Sequence, residues 1–344
     1  MQAASGSGPT RKPAMTVKDI ARVAEVSPMT VSRVLSGGKN VRPALREHVE
    51  RVIAEVGYHR NENARSLRPG QRSGLVGVMI TNIGNPYYAG VVQGIEQVVA
   101  ATGRRILVGT TNEDADLERQ LLSDFLGRQV EGLVVVPVGP DVERFTTARL
   151  HDVPLVLASR TVRDVPADAV LIDDVHGAHA ATAMMLEDGH RRIAFLGNKV
   201  TVSTGQRRLT GFRRAFAEHG TELDDALVVL GLQDTDTAER AMRELLGRAE
   251  APTAVFAANN RISVGAIRAI AKGVADGTVD QPPRLFAFDS FDFADMAPIP
   301  LSVIDHDPAE LGRVAARMLL SRLDGSADGE PPRLVELPVH IVHH

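Results

Sequence analysis

Apolar positions in the first 58 residues recur at helical spacing in three short bursts. Val17, Ile20, Ala21 and Ala24 form the first, opened by Thr16, whose hydroxyl can accept an orphan N–H of the first turn. The run stops near Glu25 and Val26. Ser27 and Pro28 then start a second, in which Val31, Val34 and Leu35 share one face while Met29, Thr30, Ser32 and Arg33 fill much of the rest. Proline at the first helical position loses nothing, because that N–H has no intrahelical partner. Gly37-Gly38 closes this helix. The third run opens at Pro43, turns Leu45, Val49, Val52, Ile53 and Val56 inward, and ends at Gly57. Three short helices with a tight link between the first two predict an all-α helix-turn-helix module over residues 15–58, whose second helix can enter a DNA major groove. Residues 1–14 carry no such pattern and are expected to be a disordered lead-in. Residues 59–73 (HRNENARSLRPGQRS) are polar, basic and punctuated by Gly and Pro, so they read as a hinge or linker.

From residue 74 the period changes. LVGVMI (75–80), RILVGT (105–110), GLVVVP (132–137), PLVLA (154–158), RIAFLG (192–197), TAVFAA (253–258) and RLFAF (284–288) are apolar runs of strand length separated by helical patterns. Strands with no polar face imply parallel sheets covered on both sides. So many units predict two lobes over residues 74–344. In such sheets a ligand crevice lies beyond the carboxyl ends of the strands, which makes polar residues just after strands the site candidates.

Charge sharpens this division. Residues 1–72 hold 13 Lys/Arg against 6 Asp/Glu, and the remainder holds 26 against 37, although the whole chain is only −4. A basic head on an acidic body suits a chain that meets phosphate at one end. The 344 residues contain no cysteine, which excludes disulfides and thiolate metal sites and fits a cytoplasmic location. No apolar stretch reaches the roughly 18 residues of a membrane span, and the first residues lack the apolar core of a secretory signal.

The stretch TVKDIARVAEVSPMTVSRVLSGGKNVRPALREHVERVIAEVGYHRNENARSL resembles the head of the lactose-repressor (LacI/GalR) family, VSPMTVSRVL and the Tyr58, Asn61, Ala64, Leu67 spacing matching without gaps. The resemblance implies double-stranded operator DNA as a partner. It places Pro28, Met29 and Arg33 at base-reading positions, with Arg33 the guanine candidate. Thr16, Ser27, Thr30, Ser32 and Asn40 then match positions that touch backbone phosphates. Asn61 to Leu67 would form a short hinge helix on DNA, with Ala64 within it and Leu67 wedged into the minor groove. Arg60 departs from the family's usual proline.

The remainder also resembles the family, through NPYYAGVVQGIE, HRRIAFLG, RRLTGFRRAF, PTAVFAANNRISVGAIRAI and FDS…PLSVIDHDPAELG. The implied fold is a two-lobed α/β receptor of the type I periplasmic-binding-protein kind, assembled as a homodimer, closing on a small-molecule effector and needing no cofactor. Carried over by position, Asn85, Tyr87, Arg160, Arg208, Asn259, Asp289 and His306 are the effector-binding candidates. Arg208 would act as bidentate donor and Asp289 as hydroxyl acceptor. Three departures stand out: Ser159 and Asn260 replace common aspartates, and His306 replaces a common glutamine. Two missing carboxylates beside two arginines lead to the expectation of a sugar derivative carrying phosphate or carboxylate.

Other constellations add little. His176, His179 and His190 are read as a solvated helix face and His340, His343 and His344 as a frayed end, without the further ligands zinc would need. Asn112–Asp116 lacks the Gly and terminal Glu of a calcium loop and reads as the acidic first turn of a helix. No nucleophile elbow, His-Glu-x-x-His or phosphate loop is present, which disfavours an enzyme. The basic head disfavours a transport protein. The sequence thus points to a DNA-binding transcription regulator, read as a repressor, under effector control.

Overall fold

The computed structural model describes residues 15–35, 41–58 and 73–344. Packing divides the chain into two units, Met1–Pro69 and Gly70–His344.

The first unit holds helices α1 (Val17–Val23), α2 (Pro28–Leu35) and α3 (Pro43–Glu55). Thr16 opens α1 with a reciprocal box. Its hydroxyl accepts the Asp19 N–H, and the Asp19 carboxylate accepts the Thr16 N–H at 3.0 Å. Glu25, at φ 52°, reverses the chain, and the Ser27 hydroxyl accepts the Thr30 N–H at 3.1 Å to start α2. Ile20, Val31 and Val49 are fully buried at the centre, with Val34 and Val52 beside them. His48 Nε2 lies 3.2 Å from the Ala24 carbonyl oxygen, tying α3 to the turn between the first two helices. Leu45, expected inward, is exposed. The buried residues of α3 are Val49 and Val52, so its first turn projects past the small core.

In the second unit the first lobe begins with β1 (Leu75–Ile80), α4 (Pro86–Ala100), β2 (Arg105–Thr110), α5 (Ala115–Gly127), β3 (Gly132–Val135), β4 (Leu155–Ala158) and β5 (Asp168–Ile172). The chain then crosses to the second lobe. There it forms α6 (Asp174–Glu187), β6 (Ile193–Leu196), α7 (Ser203–Glu218), β7 (Val228–Val229), α8 (Thr235–Leu246), β8 (Ala254–Ala257), α9 (Asn260–Ala275), β9 (Arg284–Phe288) and β10 (Leu301–Asp305). It returns to the first lobe through α10 (Pro308–Leu323) and β11 (Leu334–Leu337), and crosses once more to β12 (His340–His343). The sheets run β11-β5-β4-β3-β1-β2 and β12-β10-β9-β8-β6-β7, with β12 antiparallel to β10 and the remaining pairs parallel.

Every residue of β3, β4, β6 and β8 is buried, as helices on both faces require. One apolar core continues through both lobes, and a separate core backs the other face of each sheet. The seven expected strands are present. β5, β7, β10, β11 and β12 join them, and β12 overturns the expectation of a frayed histidine tail. The His343 ring bonds the Ser302 hydroxyl at 2.8 Å within the β10–β12 pair. His176 is exposed, while half-buried His179 pairs with Glu218 at 2.7 Å.

The helices α4 and α10 approach so closely that a β-carbon at Gly94 would run into the Ala309 carbonyl oxygen, and one at Gly312 into that of Val91. Gly312→Val is therefore expected to destabilise the receptor unit by roughly 1–3 kcal/mol, the usual cost of overpacking. An unchanged urea midpoint would refute so tight a crossing.

Candidate functional site

The strand ends of the two sheets face each other across a cavity of about 560 Å³. Each sequence-predicted candidate except His306 lines it. On the first lobe, Asn85 caps α4 and presents Tyr87 and Tyr88 from its first turn. Ser159 and Arg160 follow β4, and Val138–Asp141 follow β3. On the second lobe, Asn198 follows β6, Arg208 projects from α7, Asn259 caps α9, and Asp289 follows β9. Ser159 and Asp289 occupy equivalent places, each directly after a strand and each left-handed at φ 63° and 65°. Such strain in non-glycine residues concentrates where a side chain must be aimed. Asn112 and Glu113, also left-handed, do the same for the loop after β2.

Arg208 is 4% exposed and held on each of its three nitrogens. Its Nε donates to Asp174 Oδ1 at 2.8 Å, its Nη1 to the Ala258 carbonyl at 2.6 Å, and its Nη1 and Nη2 to the Asp289 carboxylate at 3.2 and 3.1 Å. The guanidinium also lies 3.6 Å over the Phe288 ring. Burial pushes the Asp174 carboxyl up to about 6, against the pull of Arg208 beside it. Arg160 is matched in charge by Glu113: Nη1 and Nη2 donate to its two oxygens at 2.9 and 2.7 Å, and Nη2 also to the Tyr88 hydroxyl at 3.2 Å, while its buried Nε has no hydrogen-bond partner. Both arginines therefore reach the cleft already neutralised, which orients the carboxylates instead of offering bare positive charge.

Tyr87 is buried and donates its hydroxyl to Ser159 at 3.0 Å; burial holds that phenol far above its ordinary range. Asn259 spends its amide on Asn198 and the Ile262 N–H, a capping role that fixes the mouth of α9. Asn85 and Asn260 bond reciprocally across the lobes, at 2.8 and 3.3 Å, so the amide at position 260 closes a contact that an aspartate would meet with repulsion from Asn85 Oδ1. The lobes are also tied by Arg207 on α7 to Glu336 on β11, and by the Thr161 N–H to the Ser203 hydroxyl at 3.3 Å.

His306 departs from expectation. It sits in the crossover after β10, edge-on to Tyr87 with centroids 5.5 Å apart and 6.3 Å from the Phe288 ring, behind the cleft wall. Neither ring nitrogen has a hydrogen-bond partner, and burial lowers its pKa. The reason is topological: the residue lies at a lobe crossover, where the wall is already formed by Tyr87 and Asp289. Conversely, Glu113, Tyr88 and Asp174 partner the cleft arginines although the sequence pattern does not single them out. In sequence Glu113 reads as part of a helix's acidic first turn. Asp114 does cap α5, at 2.8 Å from the Asp116 N–H, but its neighbour turns into the cleft.

On the head, Pro28, Met29 and Arg33 share the exposed face of α2, with Met29 63% exposed despite being apolar. Ser27 is exposed, whereas Thr30 and Ser32 are half-buried at its edges. The Thr16 hydroxyl is occupied by Asp19 at 2.7 Å. Asn40, Asn61, Ala64 and Leu67 lie outside the described residues. Among the described residues, no group of three or more His, Asp or Glu side chains is placed to hold a metal, and no helix is long and apolar enough to cross a membrane.

Residues 73–344 match a family model described as periplasmic binding proteins and sugar binding domain of LacI family, and residues 16–61 match bacterial regulatory proteins, lacI family. The ribose operon repressor of Haemophilus influenzae is 32% identical over 309 residues, 90% of this chain and 92% of its own. A solved transcriptional regulator CelR-cellobiose complex is similar at TM-score 0.71 and 30% identity, covering 96% of this chain and 99% of that one. The Lac repressor dimer bound to operator and the anti-inducer ONPF is similar at TM-score 0.80 and 22% identity, covering 96% and 98%, a likeness of fold.

Proposed function

The chain belongs to the LacI family of bacterial regulatory proteins, and from that premise we propose that it is a homodimeric repressor released from or fixed to its operator by a neutral, polyhydroxylated effector held in the cleft. The observation that carries the choice of effector is the neutralisation of both cleft arginines, Arg160 by Glu113 and Arg208 by Asp174 and Asp289. An arriving anion would have to displace a bidentate carboxylate from either one. Sugar hydroxyls, in contrast, can donate to the remaining lone pairs of Glu113 and Asp289 and accept from amide groups around them. The expected anionic ligand rested on carboxylates absent from positions 159 and 260; Glu113 and Asp174 supply them from other elements. A cleft that offers neutralised pairs agrees with the cellobiose held by the similar regulator CelR.

The relatives are transcription regulators, and we assign the cleft a binding role. Pro28, Met29 and Arg33 would read bases, while Ser27, Thr30 and Ser32 approach phosphates; Thr16 primarily caps α1. Phe293 and Met296, 75% and 71% exposed in the loop after β9, supply apolar surface that a second copy could cover. By linkage, the factor by which effector changes operator affinity equals the factor by which operator changes effector affinity.

A thermal-shift panel of neutral mono- and disaccharides against their phosphates and uronic acids tests this reading. Saturating neutral ligand at about 100 times its Kd stabilises a chain by about 2.7 kcal/mol. Stabilisation by phosphorylated or carboxylated sugars alone would overturn the assignment. Selection of genomic duplex fragments by the full chain, with and without the stabilising sugar, then reads operator and sign of control together.

A further inference from the structure

In the cleft wall of the first lobe lies another buried ion pair, whose arginine, Arg144, also lines the cavity. Glu118, on α5, is wholly buried, and its Oε1 lies 2.6 Å from Arg144 Nη1, itself 4% exposed. The pair converges on a single residue. Glu118 Oε2 accepts the Val138 N–H at 2.7 Å, and Arg144 Nη2 donates to the Val138 carbonyl oxygen at 2.6 Å. Arg144 Nε further reaches the Asp141 carboxylate at 3.3 Å. Val138, Gly139, Pro140 and Asp141 form the part of the cleft wall that follows β3, beyond the last ladder bonds of the sheet. No strand partner holds this segment, so both polar groups of its first residue are satisfied by side chains.

We propose that Glu118 and Arg144 are positioning residues for effector binding, gripping both backbone groups of Val138 so that the 138–141 wall keeps the shape the effector meets. The inference rests on the cleft being the effector site, but the grip itself can be read without any ligand. The charged groups facing Glu118 are Arg144 and, farther off, Arg160 and Glu113, with Asp141 on the far side of Arg144. Burial raises the Glu118 carboxyl to about 7, against the pull of Arg144 and the Val138 N–H. The grip is therefore complete when the carboxyl is ionised above neutrality and loses its ionic half as pH falls towards 6. A protonated or amidated side chain can still accept the Val138 N–H, but it no longer pairs in charge with Arg144.

Hydrogen exchange of the full chain, followed by mass spectrometry in peptides spanning 136–142, tests the grip. After correction for intrinsic exchange, Glu118→Gln should raise exchange there about tenfold and Glu118→Ala more, while peptides of β8 in the other lobe stay unchanged. Arg144→Lys should give the smaller loss, because one ammonium can keep the pairing but not the two-point geometry. The wild-type 136–142 protection should weaken between pH 8 and pH 6, and the Gln variant should show no such slope. Equal protection in wild type and both Glu118 variants would overturn the proposal, as would a loosening spread evenly over the first lobe. Where Glu118→Ala fails to fold, the Gln and Lys variants and the pH slope decide alone. A failed saccharide panel with an intact grip would sink the effector assignment and leave the grip standing.

Discussion

Arg208→Met is expected to destabilise the receptor unit by roughly 3–5 kcal/mol, the range found when one member of a buried ionic group is removed. Methionine approximates the volume of the stem and can lie against Phe288, so the loss is chiefly electrostatic. Asp174, wholly buried, and Asp289, 6% exposed, would remain with no counter-charge of comparable reach; Arg207 Nε is 3.4 Å from Asp174 but shares itself with Glu336. The effect has a sign in pH. Burial already holds the Asp174 carboxyl at about 6, above its ordinary 3.8. A carboxyl raised in the folded state binds protons more tightly there than in the unfolded chain, so acidification between those two values favours folding. Removing Arg208 removes the main pull in the opposite direction. The variant should therefore be weakest near pH 8 and recover part of its deficit near pH 5, whereas wild type recovers less. Urea midpoints at the two pH values check this. A deficit independent of pH would mean that packing over Phe288, and not the stranded carboxylates, sets the cost. Saccharide binding should be lost at both values, because Asp289 loses the partner that orients it.

How much of this was legible in the chain differs by element. The helical head could be read nearly residue by residue because its caps are local: Thr16 with Asp19, Ser27 with Thr30, Pro28 and Pro43 at first positions. The one misplaced core residue, Leu45, shows that spacing gives a face but not how far along the helix the partner extends. In the receptor, fully apolar strands announced themselves, whereas β11 and β12 have no fully buried face and are fixed by long-range pairing, to β5 and β10. The site behaved alike. Residues just after strands, such as Arg160 and Asp289, are placed by the family resemblance, at strand ends where topology puts a crevice. Their counter-ions are not, because Glu113 to Arg160 spans 47 positions and Asp174 to Arg208 spans 34. The proposal of a neutral effector, against the expectation of an anionic one, comes from that gap. Positive charge can be counted in a sequence, but its neutralisation is a property of the fold.

The head offers the second large effect, on recognition instead of stability. Three side chains dominate the exposed face of α2, and two of them, Pro28 and Met29, carry no donor for a base edge. Arg33 carries the fork that matches the N7 and O6 acceptors of guanine. Its neighbours on the buried face, Val31 and Val34, are locked into the core, so packing fixes which face of α2 presents the arginine outward. Arg33→Ala should accordingly relax preference at one base pair of each half-site by roughly 1–3 kcal/mol, with other positions unaltered. Thr30→Ala, at the edge of the same helix, should weaken binding uniformly and leave the base profile intact, as loss of a phosphate contact does. Binding of the full chain to a randomised half-site library at one fixed salt concentration separates the two. If Arg33→Ala lowered all sequences equally, the arginine would be serving phosphate. Specificity would then have to come from the apolar contacts of Met29 and from the deformability of the duplex, which predicts preference spread over base steps instead of concentrated at one pair.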